Sequence, residues 1–329
     1  MEFRNLGRTG LKVSELCLGT MTFRWTSTEE EAYHILDRAW DAGINFLDTA
    51  DVYSSWAEGN PGGVAEEIIG KWLQSKPRDQ IVIATKVRGR MWEGPNGEGL
   101  SRQHIMLAVE HSLRRLQTDT IDLYQVHWPD WDTPLEETLR ALDDLVKQGK
   151  VRYIGASNYK AWHFMKALWV SDKHNLARFD CIQPHFHLLN REEVEPDIAA
   201  VCLDQGVGCI PYSPLAGGFL TGKYTREGGA PIGSRGSGSD RMKGYMNDKG
   251  WAVLDALREL GQVHGKTMAQ MAIGWMQSLP FITAPIIGAS RVEQLDELLG
   301  AIDLRLEDDE MKRLDEITGV TRFYFDEED

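Results

Sequence analysis

Long apolar runs are missing from this chain, and with them the case for a membrane span. No stretch approaches the ~20 apolar residues that a helix needs to cross a bilayer. The opening segment, MEFRNLGRTG, lacks the apolar centre of a secretory signal. Cysteine is scarce. Cys17, Cys181, Cys202 and Cys209 form no C-x-x-C pair, and each sits in or beside apolar sequence. That usage fits buried free thiols in a reducing compartment, so a cytoplasmic location is expected. Basic residues are the third shortage, with 36 Lys and Arg against 50 Asp and Glu and a net charge of −14. Such a surface excludes nucleic acid and anionic membranes as expected partners. Finally, no G-x-G-x-x-G follows the first apolar run, which argues against an open dinucleotide-binding sheet. The glycines of LAGGFLTG (215–222) come late and with the wrong spacing.

What the chain does have is alternation. Residues 14–21, 44–51, 81–87, 121–128, 151–158, 181–188, 207–215 and 283–290 read as strands, with Pro184 marking an end or a bulge. Residues 28–43, 64–75, 101–117, 134–150, 161–172, 191–206 and 291–302 read as helices, with two more at 251–265 and 267–278 before the last strand. Eight strand-then-helix units imply a parallel sheet closed into a (β/α)8 TIM barrel. The whole chain, 1–329, reads as one such domain. An N-terminal β-hairpin is expected over 3–14, around Gly7-Arg8-Thr9-Gly10, positioned to plug the barrel floor. Long loops at 88–100 and 216–242 leave the C-terminal ends of strands, where barrel enzymes place their sites. The tail 323–329 reads as a solvated acidic end.

Polar residues at strand ends carry the chemistry. Asp48 lies in the second strand and Tyr53 follows in its loop, while Lys86 and His127 close the third and fourth. A lysine ending an apolar strand needs a partner, and Asp48 on the neighbouring strand is placed to supply one. A purely structural ion pair is one reading of that couple alone. Tyr53 and His127 beside it point instead to carbonyl reduction. Hydride attack develops an alkoxide that tyrosine can protonate, and a nearby ammonium is expected to lower the tyrosine pKa from about 10. His127 would hold the carbonyl oxygen. No side chain supplies hydride, so a nicotinamide cofactor is implied.

The chain also resembles the aldo-keto reductase family along essentially its whole length. The resemblance is carried by LGRTGLKVS, LGTMTF, DTADVY (48–53), ATK (84–86), LYQVHWPD (123–130), GKVRYIGASN (149–158), IQPHF (182–186), YSPLAGGFLTGKY (212–224) and IIGAS-R-xx-QL (286–295). HWPD and the loop at 216–242 look most like the bacterial and potassium-channel β-subunit branch. The resemblance implies that Asp48, Tyr53, Lys86 and His127 are a catalytic tetrad. It implies cofactor contacts from Gly19, Thr20 and Met21, from Ser157, Asn158 and Gln183 at the carboxamide, and from Tyr212 stacked on the nicotinamide. Ser213, Leu215, Gly217 and Lys223 would follow the pyrophosphate, and Gly288, Ser290, Arg291 and Gln294 the adenosine end. Arg291 at a helix start suits a 2′-phosphate, which favours NADPH over NADH, although an exposed helix-start arginine is an alternative reading. Where relatives often carry Asn against adenine, this chain has Leu298.

Trp25, Trp56, Trp92 and Trp128 lie in or near the mouth loops and are expected to line a pocket for a small carbonyl substrate, sugar-derived ones included. Two other functions compete. His185-x-His187 at a strand end would suit a metal-dependent hydrolase, but the neighbouring strands end in Ser-Asn and Tyr-Ser-Pro, so no metal is expected. A cofactor-binding sensor with little turnover is the other.

Overall fold

The structure is a computed structural model that describes residues 1–226, 228 and 240–321. It opens with an antiparallel hairpin of β1 (Phe3–Asn5) and β2 (Lys12–Ser14). The parallel strands are β3 (Cys17–Gly19), β4 (Phe46–Asp48), β5 (Val82–Val87), β6 (Ile121–Val126), β7 (Val151–Ser157), β8 (Phe179–Gln183), β9 (Gly208–Cys209) and β10 (Ile286–Ile287). They pair in the order β10-β3-β4-β5-β6-β7-β8-β9. The ring closes between β9 and β10 through single bridges, Cys209 to Ile282 and Tyr212 to Ile286. There the Thr283 N–H donates to the Cys209 carbonyl at 2.8 Å, and the Ile286 N–H to the Pro211 carbonyl at 2.9 Å. This is the (β/α)8 barrel read from the sequence.

The outer helices are α1 (Glu29–Asp41), α2 (Val64–Leu73), α3 (Arg102–Leu116), α4 (Leu135–Lys147), α5 (Ala161–His174), α6 (Ile198–Gln205), α7 (Asp240–Tyr245), α8 (Asp248–His264), α9 (Met268–Gln277), α10 (Val292–Leu299) and α11 (Asp308–Thr318). Local chemistry sets their ends. Thr28 caps α1 in a reciprocal box with Glu31, and Thr267 caps α9 with Gln270. Ser101 caps α3. Among the described residues no helix is long and apolar enough to cross a membrane.

Two apolar layers result. One lies between strands and helices. The other fills the barrel, where Cys17, Phe46, Val82, Ala84, Leu123, Cys181, Ile210, Ala284 and Ile286 meet Leu6 and Val13 of the hairpin. The hairpin therefore floors the barrel. Its turn lies flush on the chain entering β9: Arg8 N–H donates to the Gly206 carbonyl at 2.7 Å. Gly7 has φ 56°, and a Cβ there would come within 2.4 Å of the Gly208 nitrogen, so only glycine fits.

The structure corrects several boundaries. Residues 14–21 are not one strand: Ser14 ends the hairpin, and only Cys17–Gly19 joins the barrel. The helix expected over 191–206 begins at Ile198. Pro196 accounts for this, because its ring disfavours helix at the preceding residue. The freed segment buries Arg191, whose guanidinium meets Glu195 Oε1 at 2.5 Å and Asp315 Oδ1 at 2.8 Å. Helices α7 and α11 were not anticipated, although Glu307 and Glu310 form a capping box that announces the second. The tail 323–329 and most of the Gly/Ser-rich part of the loop 216–242 lie outside the described residues.

Candidate active site

Strand alternation builds the site. Phe46, Ala84, Leu123 and Cys181 point into the barrel floor. Two residues further on, Asp48, Lys86, Gln125 and Gln183 face the same way in one higher layer, all buried. This layer is polar and closely connected. Lys86 Nζ donates to Asp48 Oδ2 at 2.6 Å, to the Thr49 carbonyl at 2.8 Å and to the Tyr53 hydroxyl at 2.9 Å. Asp48 Oδ1 accepts from Gln183 Nε2 at 2.8 Å and from Gln125 Nε2 at 3.2 Å. Every donor of the ammonium and both oxygens of the carboxylate are thus engaged, as a buried ion pair requires.

Electrostatics follow from burial. Desolvation pushes the Tyr53 phenol up to about 12, and the Lys86 ammonium offsets only part of that rise. The expected lowering of this group is overturned in the protein alone, because the ring is buried while the ammonium already serves Asp48. Desolvation also acts on Lys86, but Asp48 and Tyr53 hold its ammonium above its ordinary value. His127 lies just past β6, its ring 5.9 Å from that of Tyr53. Burial, then Lys86 and Arg88, hold it neutral, well below the usual imidazole range. Its Nδ1 is buried with no hydrogen-bond partner among the described residues.

Some of the other sequence-derived positions contact this layer and others lie apart from it. Thr20 donates through Oγ1 to the Asp48 carbonyl at 3.0 Å, between Gly19 and the exposed Met21. Ser157 Oγ donates to the Gln183 carbonyl at 2.8 Å. Asn158, at φ 60°, donates to the His127 carbonyl at 2.9 Å and accepts from Tyr212 OH at 2.8 Å. Ser213 (φ 61°) and Gly217 (φ 67°) flank Leu215 in a tight turn, and Lys223 Nζ lies 5.5 Å from the Tyr224 ring centre. Gly288 is exposed beside Gly19, and Ser290 N–H donates to Gln294 Oε1 at 2.8 Å. Arg291 stands at the start of α10 without a side-chain capping bond and reaches Glu293 only at 3.9 Å, with both side chains exposed. Leu298 is buried on the inner face of α10, which explains an apolar residue there.

The tryptophans divide. Trp25 and Trp56 meet edge to face at 5.6 Å, Trp56 lies 6.2 Å from Tyr53, and Trp128 lies 4.4 Å from His127. Trp92 instead stacks on His104 at 4.7 Å, against α3, and is not brought into this aromatic wall. Gln125 is the polar-layer residue that the sequence reading missed. Counting by twos from Leu123 would have found it.

His185 and His187 are taken up by protein contacts. His187 Nε2 meets Tyr245 OH at 3.1 Å and its Nδ1 accepts from Leu189 N–H at 3.1 Å, while His185 Nδ1 meets Asn190 at 2.9 Å. Among the described residues no three His, Cys, Asp or Glu side chains converge to hold a metal. Burial, then His185 and Arg241, lower the His187 pKa to about 3. The unfolded chain binds a proton there near pH 6.5 and the folded chain does not. Folding is therefore penalised as pH falls below 6.5, by about 2 kcal/mol at pH 5. His187→Gln should lose correspondingly less urea stability between pH 7 and pH 5 than the parent. An equal loss in both would contradict a buried neutral imidazole.

Comparison with known proteins places the chain in a family. The family model "Aldo/keto reductase family" matches residues 15–318. The chain is 39% identical to the uncharacterised oxidoreductase YrpG of Bacillus subtilis, covering 96% of each protein. It is 36% identical to versiconal hemiacetal acetate reductase of Aspergillus parasiticus, again over 96% of each. It is also 36% identical to a probable voltage-gated potassium channel β subunit of Arabidopsis thaliana, over 92% of each. A closed (β/α)8 barrel, a buried Lys–Asp–Tyr cluster at its C-terminal end and a family match across nearly the whole chain lead to one assignment: the chain belongs to the aldo/keto reductase family of oxidoreductases.

Proposed function

We propose that the chain reduces aldehydes or ketones to alcohols with NADPH, and that Tyr53 is the proton donor. One observation carries this reading. A single buried ammonium, Lys86 Nζ, joins Asp48 Oδ2 to the Tyr53 hydroxyl at the barrel mouth. A phenol pushed up to about 12 keeps its proton at neutral pH. It therefore has that proton to give when negative charge develops on the carbonyl oxygen. Lys86 stabilises the phenolate left behind, and Asp48, fixed by Gln125 and Gln183, keeps the ammonium aimed. His127 stays neutral, and its Nδ1 faces no acceptor. That favours the Nε2–H tautomer, the one able to donate to a bound oxygen.

When bound, a reduced nicotinamide supplies the hydride. The residues present fit such a group. A Cβ built on the exposed Gly288 would meet nothing nearer than the Gly19 carbonyl at 3.9 Å, leaving a cradle between the ends of β3 and β10 that a side chain would fill. Gly19, Thr20, Met21, Ser157, Asn158, Gln183 and Tyr212 would surround the nicotinamide end. Ser213, Leu215, Gly217 and Lys223 would hold the pyrophosphate, and Gly288, Ser290, Arg291 and Gln294 the adenosine end. Arg291 is held only by a loose exposed contact, so it can turn to a 2′-phosphate. Arg291→Ala should raise the NADPH dissociation constant about 10-fold more than that for NADH. An equal rise for both would remove the 2′-phosphate assignment.

Trp25, Trp56 and Trp128 supply the pocket wall in this reading. The test is turnover of a panel of aldehydes, ketones and aldoses with each cofactor. Binding of NADPH without reduction of any member would favour a cofactor-sensing role, the possibility raised by similarity to the channel β subunit.

A further inference from the structure

We propose that Arg88 is an anion-binding residue that determines specificity, so that the preferred substrate is an aldehyde or ketone that also carries a carboxylate. This rests on the reductase reading above and names the substrate class for the same site. Arg88 is the first residue beyond β5, two after Lys86. Its guanidinium carbon lies 4.8 Å from the Trp128 ring centre, Trp128 lies 4.4 Å from the His127 ring, and His127 lies 5.9 Å from Tyr53. The cation is thus part of the wall that reaches the proton donor.

Among the described residues its charge meets the Trp128 ring but no paired carboxylate. Arg78, Lys86 and Arg90 each hold a carboxylate. Arg88 holds none among the described residues, and its Nε is buried without a hydrogen-bond partner. Asp130 feels the charge, but its carboxylate accepts from Leu100 N–H at 2.8 Å, Thr133 Oγ1 at 2.8 Å and Asp132 N–H at 3.1 Å. Lys86, the other nearby cation, is committed to Asp48 and Tyr53.

The backbone adds an independent sign. Arg88 has φ 134°, a conformation natural to glycine and costly for arginine. It is held there from both sides. His127 N–H donates to the Val87 carbonyl and Gly99 N–H to the Arg88 carbonyl, each at 3.0 Å. A Cβ on Gly89 would come within 2.6 Å of the Val52 side chain, so the segment cannot shift that way. A strained backbone at a residue whose guanidinium has no ion-pair partner among the described residues suits one kept for a ligand.

The chemistry selects the ligand. On a chain of net charge −14, an anion needs a local cation to approach at all. One uncommitted guanidinium matches one negative charge, and its planar fork matches a carboxylate. The adjoining rings suit an apolar body between carboxylate and carbonyl.

The test compares 4-carboxybenzaldehyde with benzaldehyde in the parent, Arg88→Gly and Arg88→Lys. Glycine suits the φ at this position, so the fold should survive that change. The ratio of kcat/KM for the charged over the neutral aldehyde should fall about 10-fold or more in Arg88→Gly, with partial recovery in Arg88→Lys. Calorimetric titration with the same two aldehydes should show the same loss of preference without relying on turnover. A parent that reduces both aldehydes with no preference for the charged one overturns the assignment and leaves the reductase reading intact. A parent that reduces neither, yet binds the charged aldehyde more tightly and loses this in Arg88→Gly, supports the anion site and overturns the reductase reading. An equal loss on both aldehydes in Arg88→Gly reduces Arg88 to a wall residue and overturns the proposal.

Discussion

Replacing Tyr53 by phenylalanine should cut kcat for carbonyl reduction by about 10²- to 10⁴-fold, the usual worth of a positioned proton donor. The dissociation constant for NADPH should hardly move. The substitution removes one hydroxyl, whose partners are Lys86 Nζ at 2.9 Å and, weakly, Asp48 Oδ2 at 3.5 Å. The ring stays in place, packed against His127 and Trp56. The residues proposed above to hold the cofactor are ones the change does not touch. Single-turnover kinetics separates the two quantities. If NADPH binding fell as much as turnover, the hydroxyl would belong to the cofactor site and the proton-donor role would go to another group.

Lys86→Met should harm both activity and stability, for two distinct reasons. The ammonium is fully buried and serves three acceptors at once. Its loss leaves Asp48 a buried carboxylate held by two amide donors and, weakly, by the Tyr53 hydroxyl at 3.5 Å. Removing one member of a buried pair typically costs about 3–5 kcal/mol. Adding Asp48→Asn should recover much of that stability, since no bare charge then remains. It should recover no turnover, since the phenolate still lacks its cation. Thermal unfolding of the parent, the single and the double variant checks the first claim, and aldehyde reduction checks the second. A double variant no more stable than the single would show that charge burial is not what the pair manages.

Much of this arrangement was legible in the sequence. The strand-end positions of Asp48 and Lys86 follow from apolar runs that stop at a charged residue, and the structure pairs them. What was not legible depends on packing between distant segments. Ser14 and Cys17 read as one apolar run, yet only the hairpin pairing Phe3↔Ser14 separates two strands there. Trp92 sits in a mouth loop by sequence, but the loop folds it back onto His104. The Tyr53 pKa was misjudged because proximity to lysine is visible in a motif and burial is not. Gln125 and Pro196 were different: period-two counting and helix-breaker chemistry reach both from the sequence alone. Arg88 needed the structure. Its φ, and the carboxylates given to its neighbours instead, have no signature in the residue string.

The hairpin under the barrel has a kinetic consequence. With Leu6 and Val13 packed among the floor residues, the described residues close the barrel at that end. Anything that reaches Lys86 must enter through the same rim by which it leaves. If a cofactor and a substrate share this site as proposed, they would not exchange independently: the one that sits deeper would arrive first and depart last. Closure at the opposite end of the barrel, shared by the hairpin and the strand residues it packs against, would thus set the order of traffic at the mouth.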